Sequence, residues 1–267
     1  MKRLFRIYFA FVKKTIIDRL HYRTMFISGL IGLILEPLVY MIIWFTIAKA
    51  NEGLINGKSF NYFLVYYIFL LIVNNFTLTY LIWLYNEHIQ LGELTNYLLL
   101  PINIIHSDMG DIIGHKIVSM PIIILSAIIL GCVFHINLNI QFYKLCFFIP
   151  SLILSFFIRF FFEWSIALNA FWIVNTRAIN SVYYTALLFF SGIVAPLSMF
   201  PETIQAFIKY LPFRYMVSFP IEILLNDLSD KELFLNIIIQ CWWLVALIIF
   251  SAFYYKICIK KYTSVGV

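Results

Sequence analysis

Residues 191–225 read SGIVAPLSMFPETIQAFIKYLPFRYMVSFPIEILL. An apolar run ends in Ser191-Gly192 and Pro196. One short amphipathic segment follows Pro201, a second follows Pro212, and Pro220 interrupts the chain again. A proline inside a helix removes a backbone hydrogen bond and clashes with the preceding turn, so prolines at this spacing exclude one straight helix. The stretch is nonetheless too apolar for a water-exposed loop. It predicts short helices that dip into one face of a membrane, which requires other helices to cover their free backbone groups.

Composition agrees. Hydrophobic residues make up 63% of the chain and charged residues 12%, whereas a soluble domain is about half apolar and about a quarter charged. The chain is therefore an all-α integral membrane protein. Its 28 Phe and 17 Tyr supply lipid-facing surface and interfacial belts. The net charge of +6 is to be read by position, because basic residues orient spans and do not require nucleic acid. Cys132, Cys146, Cys241 and Cys258 lie in or beside apolar segments without a CxxC spacing, which makes them packing residues rather than metal ligands or a disulfide. The long basic segment before the first apolar run argues against a signal peptide.

The whole chain is expected to form one transmembrane domain, residues 1–267. On a helical wheel, Lys2, Arg3, Arg6, Lys13 and Lys14 share one arc, and Leu4, Phe5, Tyr8, Phe9, Phe11, Val12 and Ile16 share the other. This is the pattern of an interfacial helix over residues 1–23, with its basic face toward anionic lipid. Six spans follow, at 25–48, 60–85, 117–134, 142–174, 178–197 and 233–257. An even number of spans puts both termini on one side. Seven basic residues up to Arg23 and Lys256, Lys260 and Lys261 at the other end make that side cytoplasmic. Residues 191–225 then face outward, followed by Asp227, Asp230 and Glu232.

Three ionisable residues fall inside the spans: Glu36, Arg159 and Glu163. Arg159 and Glu163 are four apart and share a helix face. Charge at this depth is usually paired or turned toward a bundle interior. The residues admit a structural pair, a contact with Glu36, or a place in a transport path. On the cytoplasmic side, residues 92–100 can form a short helix with Glu93 at its N-terminus, stopped by Pro101. Leu94, Tyr97, Leu98, Leu99 and Leu100 make it apolar, which suits docking into a groove on a partner protein.

Catalytic patterns are missing. There is no phosphate loop, HExxH, G-x-S-x-G or CxxC. His106, Asp108, Asp111 and His115 form the best metal-like cluster, but they read as polar residues at a helix start. His88 and His135 read as interfacial.

GELTNYLLLPI at Gly92–Ile102 resembles the coupling-helix region of ABC transporter permeases of the type-2 (export) family. Ser191–Pro201, in the pattern SG-x-x-x-P-L-x-x-F-P, with Leu211–Phe213 and Pro220, resembles that family's re-entrant segment between spans 5 and 6. The amphipathic N-terminal helix resembles its elbow helix. The resemblance covers the chain in element order and stands nearest to permeases that work as pairs. It implies a membrane subunit that is not itself an enzyme, partnered by separate ABC ATPase subunits and a second permease, alike or related. ATP and Mg would be bound by the ATPase, with no cofactor in this chain. Gly92, Glu93, Leu94, Tyr97, Leu98 and Pro101 would contact the ATPase. Pro196, Phe200, Pro201, Pro212, Phe213 and Pro220 would belong to the outer gate. The expected activity is export of a hydrophobic or amphipathic compound (a lipid, peptide, antibiotic or other toxic molecule) across the inner membrane of a prokaryotic cell. An ion-coupled carrier or channel acting without an ATPase is the alternative, and a membrane-embedded enzyme a further one.

Overall fold

A computed structural model describes residues 2–50, 54–99, 102–136, 141–173, 176–225 and 228–261. Pro101, Asp227 and the expected end of the fourth span at Val174 lie outside these residues. In chain order the elements are α1 (Lys2–His21), α2 (Arg23–Ala50), a hairpin of β1 (Leu54–Ile55) and β2 (Lys58–Ser59), α3 (Phe60–Thr77), α4 (Leu81–Gln90), α5 (Leu94–Leu98), α6 (Ile104–Val133), α7 (Phe142–Ala167), α8 (Arg177–Phe190), α9 (Glu202–Ile208), α10 (Pro212–Met216), α11 (Ser218–Leu225) and α12 (Asp230–Cys258). Short 3-10 turns extend α7 through Phe171 and follow Pro196.

Five helical stretches are long and apolar enough to cross a membrane: Arg23–Ala50, Phe60–Gln90, Ile104–Val133, Phe142–Phe171 and Asp230–Cys258. The first four alternate in direction, and the last runs parallel to α7. Phe45 of α2 meets Phe60 and Phe134 at one end of the bundle. At the opposite end Trp172, just beyond α7, donates to Cys258 Sγ, and Tyr254 donates to Asn169. The centre of the bundle is α3, whose apolar window is the most buried of the five.

The remaining expected span differs from its prediction at 178–197. Helix α8 stops at Phe190, because Gly192 takes a positive φ of 86° and the chain turns. Its 14 residues make about 21 Å, short of a hydrocarbon core of about 30 Å. The segment after α8 completes this part of the bundle. Helix α9 packs on both neighbours, through Phe207 against Phe190 and through the Tyr210 carbonyl, which accepts from Trp243 Nε1 at 3.1 Å.

Two further boundaries moved. The second span is broken between Thr77 and Leu81. The third helix begins at Ile104, well before the expected 117. Its polar first turns read as loop in sequence, yet His106, Asp108, Asp111 and Lys116 each find a tertiary partner.

Helix α1 is seated on the bundle. Its Tyr8, Phe11, Val12 and Thr15 side lies on α6, where Gly110 and Gly114 leave room for it. Arg6 and Lys13 on the basic arc remain exposed, as do Phe9, Ile17 and Leu20. The apolar arc that predicts membrane contact is thus largely spent on protein.

Candidate functional site

Three places carry polar chemistry inside this apolar bundle. The first is the break in the second span. At Thr77–Tyr80 the helix ladder is interrupted, so carbonyls at membrane depth need other donors. Lys116 on α6 donates to the Asn75 and Leu78 carbonyls. Arg159 on α7 donates to Asn74 Oδ1 (2.8 Å) and Thr77 Oγ1 (3.2 Å). Glu163 is the anion of this cluster. It pairs with Arg159 Nε at 2.9 Å, and accepts from Tyr183 Oη at 2.8 Å and from Thr79 Oγ1. Arg159 is 2% and Glu163 3% exposed. The pair is therefore intrahelical and clasps α3 and α4. Glu36 does not join it. Its carboxylate instead accepts from Tyr184 Oη at 2.7 Å on the exposed side of α8. Lys116 was missed from the sequence because it stood at the expected loop boundary.

The second place is the segment 191–225. Its carbonyls at Gly192 and Val194 are capped by three aromatic donors: Tyr66 to Gly192 (2.8 Å), Tyr67 to Val194 (2.8 Å) and Trp44 Nε1 to Val194 (2.9 Å). The Tyr215 carbonyl accepts from Ser155 Oγ at 2.7 Å and Gln240 Nε2 at 3.3 Å. Ser155 lies thirteen residues beyond Phe142, about 20 Å along α7. The segment thus descends deep between α3, α7 and α12, with its irregular backbone covered by protein. Pro196, Pro212 and Pro220 are buried in it, Phe200 and Phe213 are half-buried and Pro201 is exposed. Pro212 and Pro220 sit in the first turns of α10 and α11, where a missing N–H costs nothing.

Gly192 is required here. It combines positive φ with close approach, since a Cβ would stand 2.5 Å from Tyr66 Oη and 3.1 Å from Ser218 Oγ. Gly192→Ala is expected to cost about 1–3 kcal/mol from the backbone alone, with the clash added. Thermal unfolding in detergent measures it against Gly32→Ala, which meets nothing within 4 Å.

The third place is the turn between α4 and α6. Gly92 has φ 69°, which lets the chain reverse into α5. Leu94 is fully buried and anchors α5, so it is not available to a partner, contrary to the expectation from sequence. Tyr97 is half-buried against His88, with ring centroids 4.6 Å apart, and Lys14 of α1 stands 5.8 Å over its ring. Burial pushes the Tyr97 hydroxyl up, although Lys14 pulls it down. Leu98 packs against the core. The outward face is Leu91, Gly92, Glu93, Asn96 and Leu99, with Leu99 78% exposed. Glu93 also meets His88 at 3.1 Å.

The four metal-like residues diverge. His106 Nδ1 meets Tyr8 Oη at 2.6 Å, and Asp108 accepts from Tyr85 Oη (2.7 Å) and Trp164 Nε1 (3.0 Å). Asp111 accepts from Thr15 and from Tyr80 Oη (3.1 Å), while His115 stands edge-on to Phe26 and Tyr80. They tie α1, α4 and α7 to α6. Among the described residues no three His, Cys, Asp or Glu converge as metal ligands.

A family model described as ABC-2 family transporter protein matches residues 34–266. No curated protein matches the chain.

Proposed function

The chain belongs to the ABC-2 family of transporter proteins, and we propose that it is the permease subunit of an ATP-driven exporter. It is a multi-pass membrane protein of a transport family. Members of this family work with ABC ATPases, and this chain carries no phosphate loop of its own. ATP and Mg are bound, and ATP is hydrolysed, on the separate ATPase subunits, and the permease is not an enzyme.

The observation that carries the reading is the tight turn Leu91–Leu99. It lies at the end of the bundle that holds α1 and joins α4 to α6, with Leu94 and Leu98 turned into the core and the other side left exposed. Apolar Leu91 and Leu99 surround Gly92, Glu93 and Asn96 there, as an acceptor groove on an ATPase would require. Leu94, Tyr97 and Leu98 brace the turn from behind. A push on α5 is then passed to α4, to the clasped break at Thr77–Tyr80, and to α6. Pro101, two positions beyond Leu99 in the sequence, is assigned to the same contact.

Six crossings, with α8 as the short fifth, set both termini in the cytoplasm, in agreement with the basic residues at each end. The segment with Pro196, Phe200, Pro201, Pro212, Phe213 and Pro220 then forms the outer gate. A second permease, identical or related, covers the exposed apolar side of α8 around Val182 and Phe189, and the pathway runs between the two subunits. The cargo is a hydrophobic or amphipathic compound, and the setting is the inner membrane of a prokaryotic cell. The buried charges Arg159, Glu163 and Lys116 are engaged with one another and with α3, which favours this reading over an ion-coupled carrier.

The test is Leu91→Asp with Leu99→Asp in the full-length chain. Both side chains are exposed, so the detergent elution profile should be unchanged. Recovery of an ABC ATPase with the tagged chain should fall about tenfold or more, as expected for loss of a central apolar contact. Undiminished recovery would place the ATPase contact elsewhere.

A further inference from the structure

A cavity of about 420 Å³ lies inside the segment 191–225, between α9, α11 and the start of α12, with α3 as its back wall. Its floor is an ion pair. Arg214 Nη2 meets Glu222 Oε2 at 2.6 Å, Nη1 donates to Asn236 Oδ1 at 2.8 Å, and Ser218 Oγ donates to Glu222 Oε1 at 2.7 Å. Glu222 is thereby saturated, but each terminal nitrogen of Arg214 keeps a second proton. Those protons are the donors left on the floor.

The rim carries one charge of each sign. Lys209 has its backbone carbonyl engaged by Tyr215 Oη at 2.9 Å. Its ammonium forms no ion pair or hydrogen bond among the described residues. Glu232, fully exposed, accepts from Ser229 N (3.1 Å) and Oγ (2.8 Å) through Oε2 alone, leaving Oε1 open. Ile208, Leu228 and Leu235 supply an apolar wall. The four charged groups sum to zero, so a ligand of either net sign would bury an unbalanced charge.

From this arrangement we infer that the cavity binds a zwitterion with an apolar appendage. Its anionic centre lies between Arg214 and Lys209, and its primary ammonium donates to Glu232 Oε1. An ethanolamine phosphate group has this chemistry, whether it is presented by a lipid or free in solution. That the cavity faces outward rests on the orientation proposed above. The binding itself does not, and it needs no ATPase.

The experiment measures thermal midpoints of the purified full-length chain in detergent with four probes: dihexanoyl-phosphatidylethanolamine, the matching phosphatidylcholine and phosphatidylglycerol, and free phosphoethanolamine. The phosphatidylethanolamine should raise the midpoint at lower concentration than the other two lipids. Lys209→Met and Glu232→Gln should each weaken it about fivefold, the scale of one exposed charge contact. Glutamine still completes the cap of α12, so the second variant stays folded. Stabilisation by free phosphoethanolamine, lost in the same variants, identifies a soluble ligand. Stabilisation by the lipid alone identifies a headgroup. Equal shifts with all three lipids, or shifts that survive both substitutions, overturn the assignment. Because no transport or ATPase is measured, failure here leaves the exporter reading standing, and loss of ATPase binding leaves the cavity untouched.

Discussion

Glu163→Ala is expected to lower the thermal midpoint of the detergent-solubilised chain by more than about 6 °C. The substitution strands Arg159, which is 2% exposed, and leaves Lys116 with carbonyls but no anion. Removing one partner of a buried pair costs about 3–5 kcal/mol, and a protein of this size loses about 2–4 °C per kcal/mol. The loss is more than one ion pair. Glu163 also accepts from Thr79 and Tyr183, so its removal unties α4 and α8 from α7 together. The discriminating comparison is Arg159→Met combined with Glu163→Leu. Replacing both members by apolar groups of similar volume removes the stranded guanidinium, though not the Lys116 ammonium, and should recover part of the loss. If the double variant melts no higher than Glu163→Ala, charge balance is not what holds the break in the second span.

Gly114→Val should free α1 from the bundle. A Cβ at Gly114 would stand 2.8 Å from Thr15 Cβ, 2.9 Å from the Val12 carbonyl oxygen and 3.2 Å from Val12 Cα. Two of those atoms are backbone, so no rotamer change relieves the contact and the helix itself must move. Gly110 faces Phe11 Cβ at 2.7 Å in the same way. Overpacking of this kind costs about 1–3 kcal/mol, comparable to what one apolar helix face gains by docking. The readout is trypsin cleavage at Lys13, Lys14 and Arg19, which should become fast in Gly114→Val. Gly29→Val, where nothing lies within 4 Å, should leave the digestion unchanged. Thr15, His106 and Asp111 would lose their contacts along with α1, so the turn at α5 should loosen too. Unchanged digestion would mean that α1 is held by lipid rather than by α6.

The spacing of Gly110 and Gly114, small residues four apart on one helix, is a signal for close helix packing. It was legible in the sequence, yet the polar residues around it concealed it by marking the region as loop. His106, Asp108, Asp111 and Lys116 look out of place in a span only while their partners are unknown. Tyr8, Thr15, Tyr80, Tyr85 and Trp164 come from three other helices, α1, α4 and α7, and no local pattern announces them. The broken second span was hidden for a related reason. The residues 76–80, FTLTY, contain neither Pro nor Gly, and what stabilises the break is Lys116 and Arg159 from distant turns.

Membrane insertion, the approximate place of most spans and the prolines of 191–225 follow from composition and local sterics alone. Transfer of apolar residues into lipid and the missing proline N–H act residue by residue. The early start of α6, the buried position of Leu94, the partner of Glu36 and the depth reached by Tyr215 follow from tertiary structure only. Each depends on which donor or anion stands opposite a buried polar group, and in an apolar bundle that partner decides whether the group is tolerated at all.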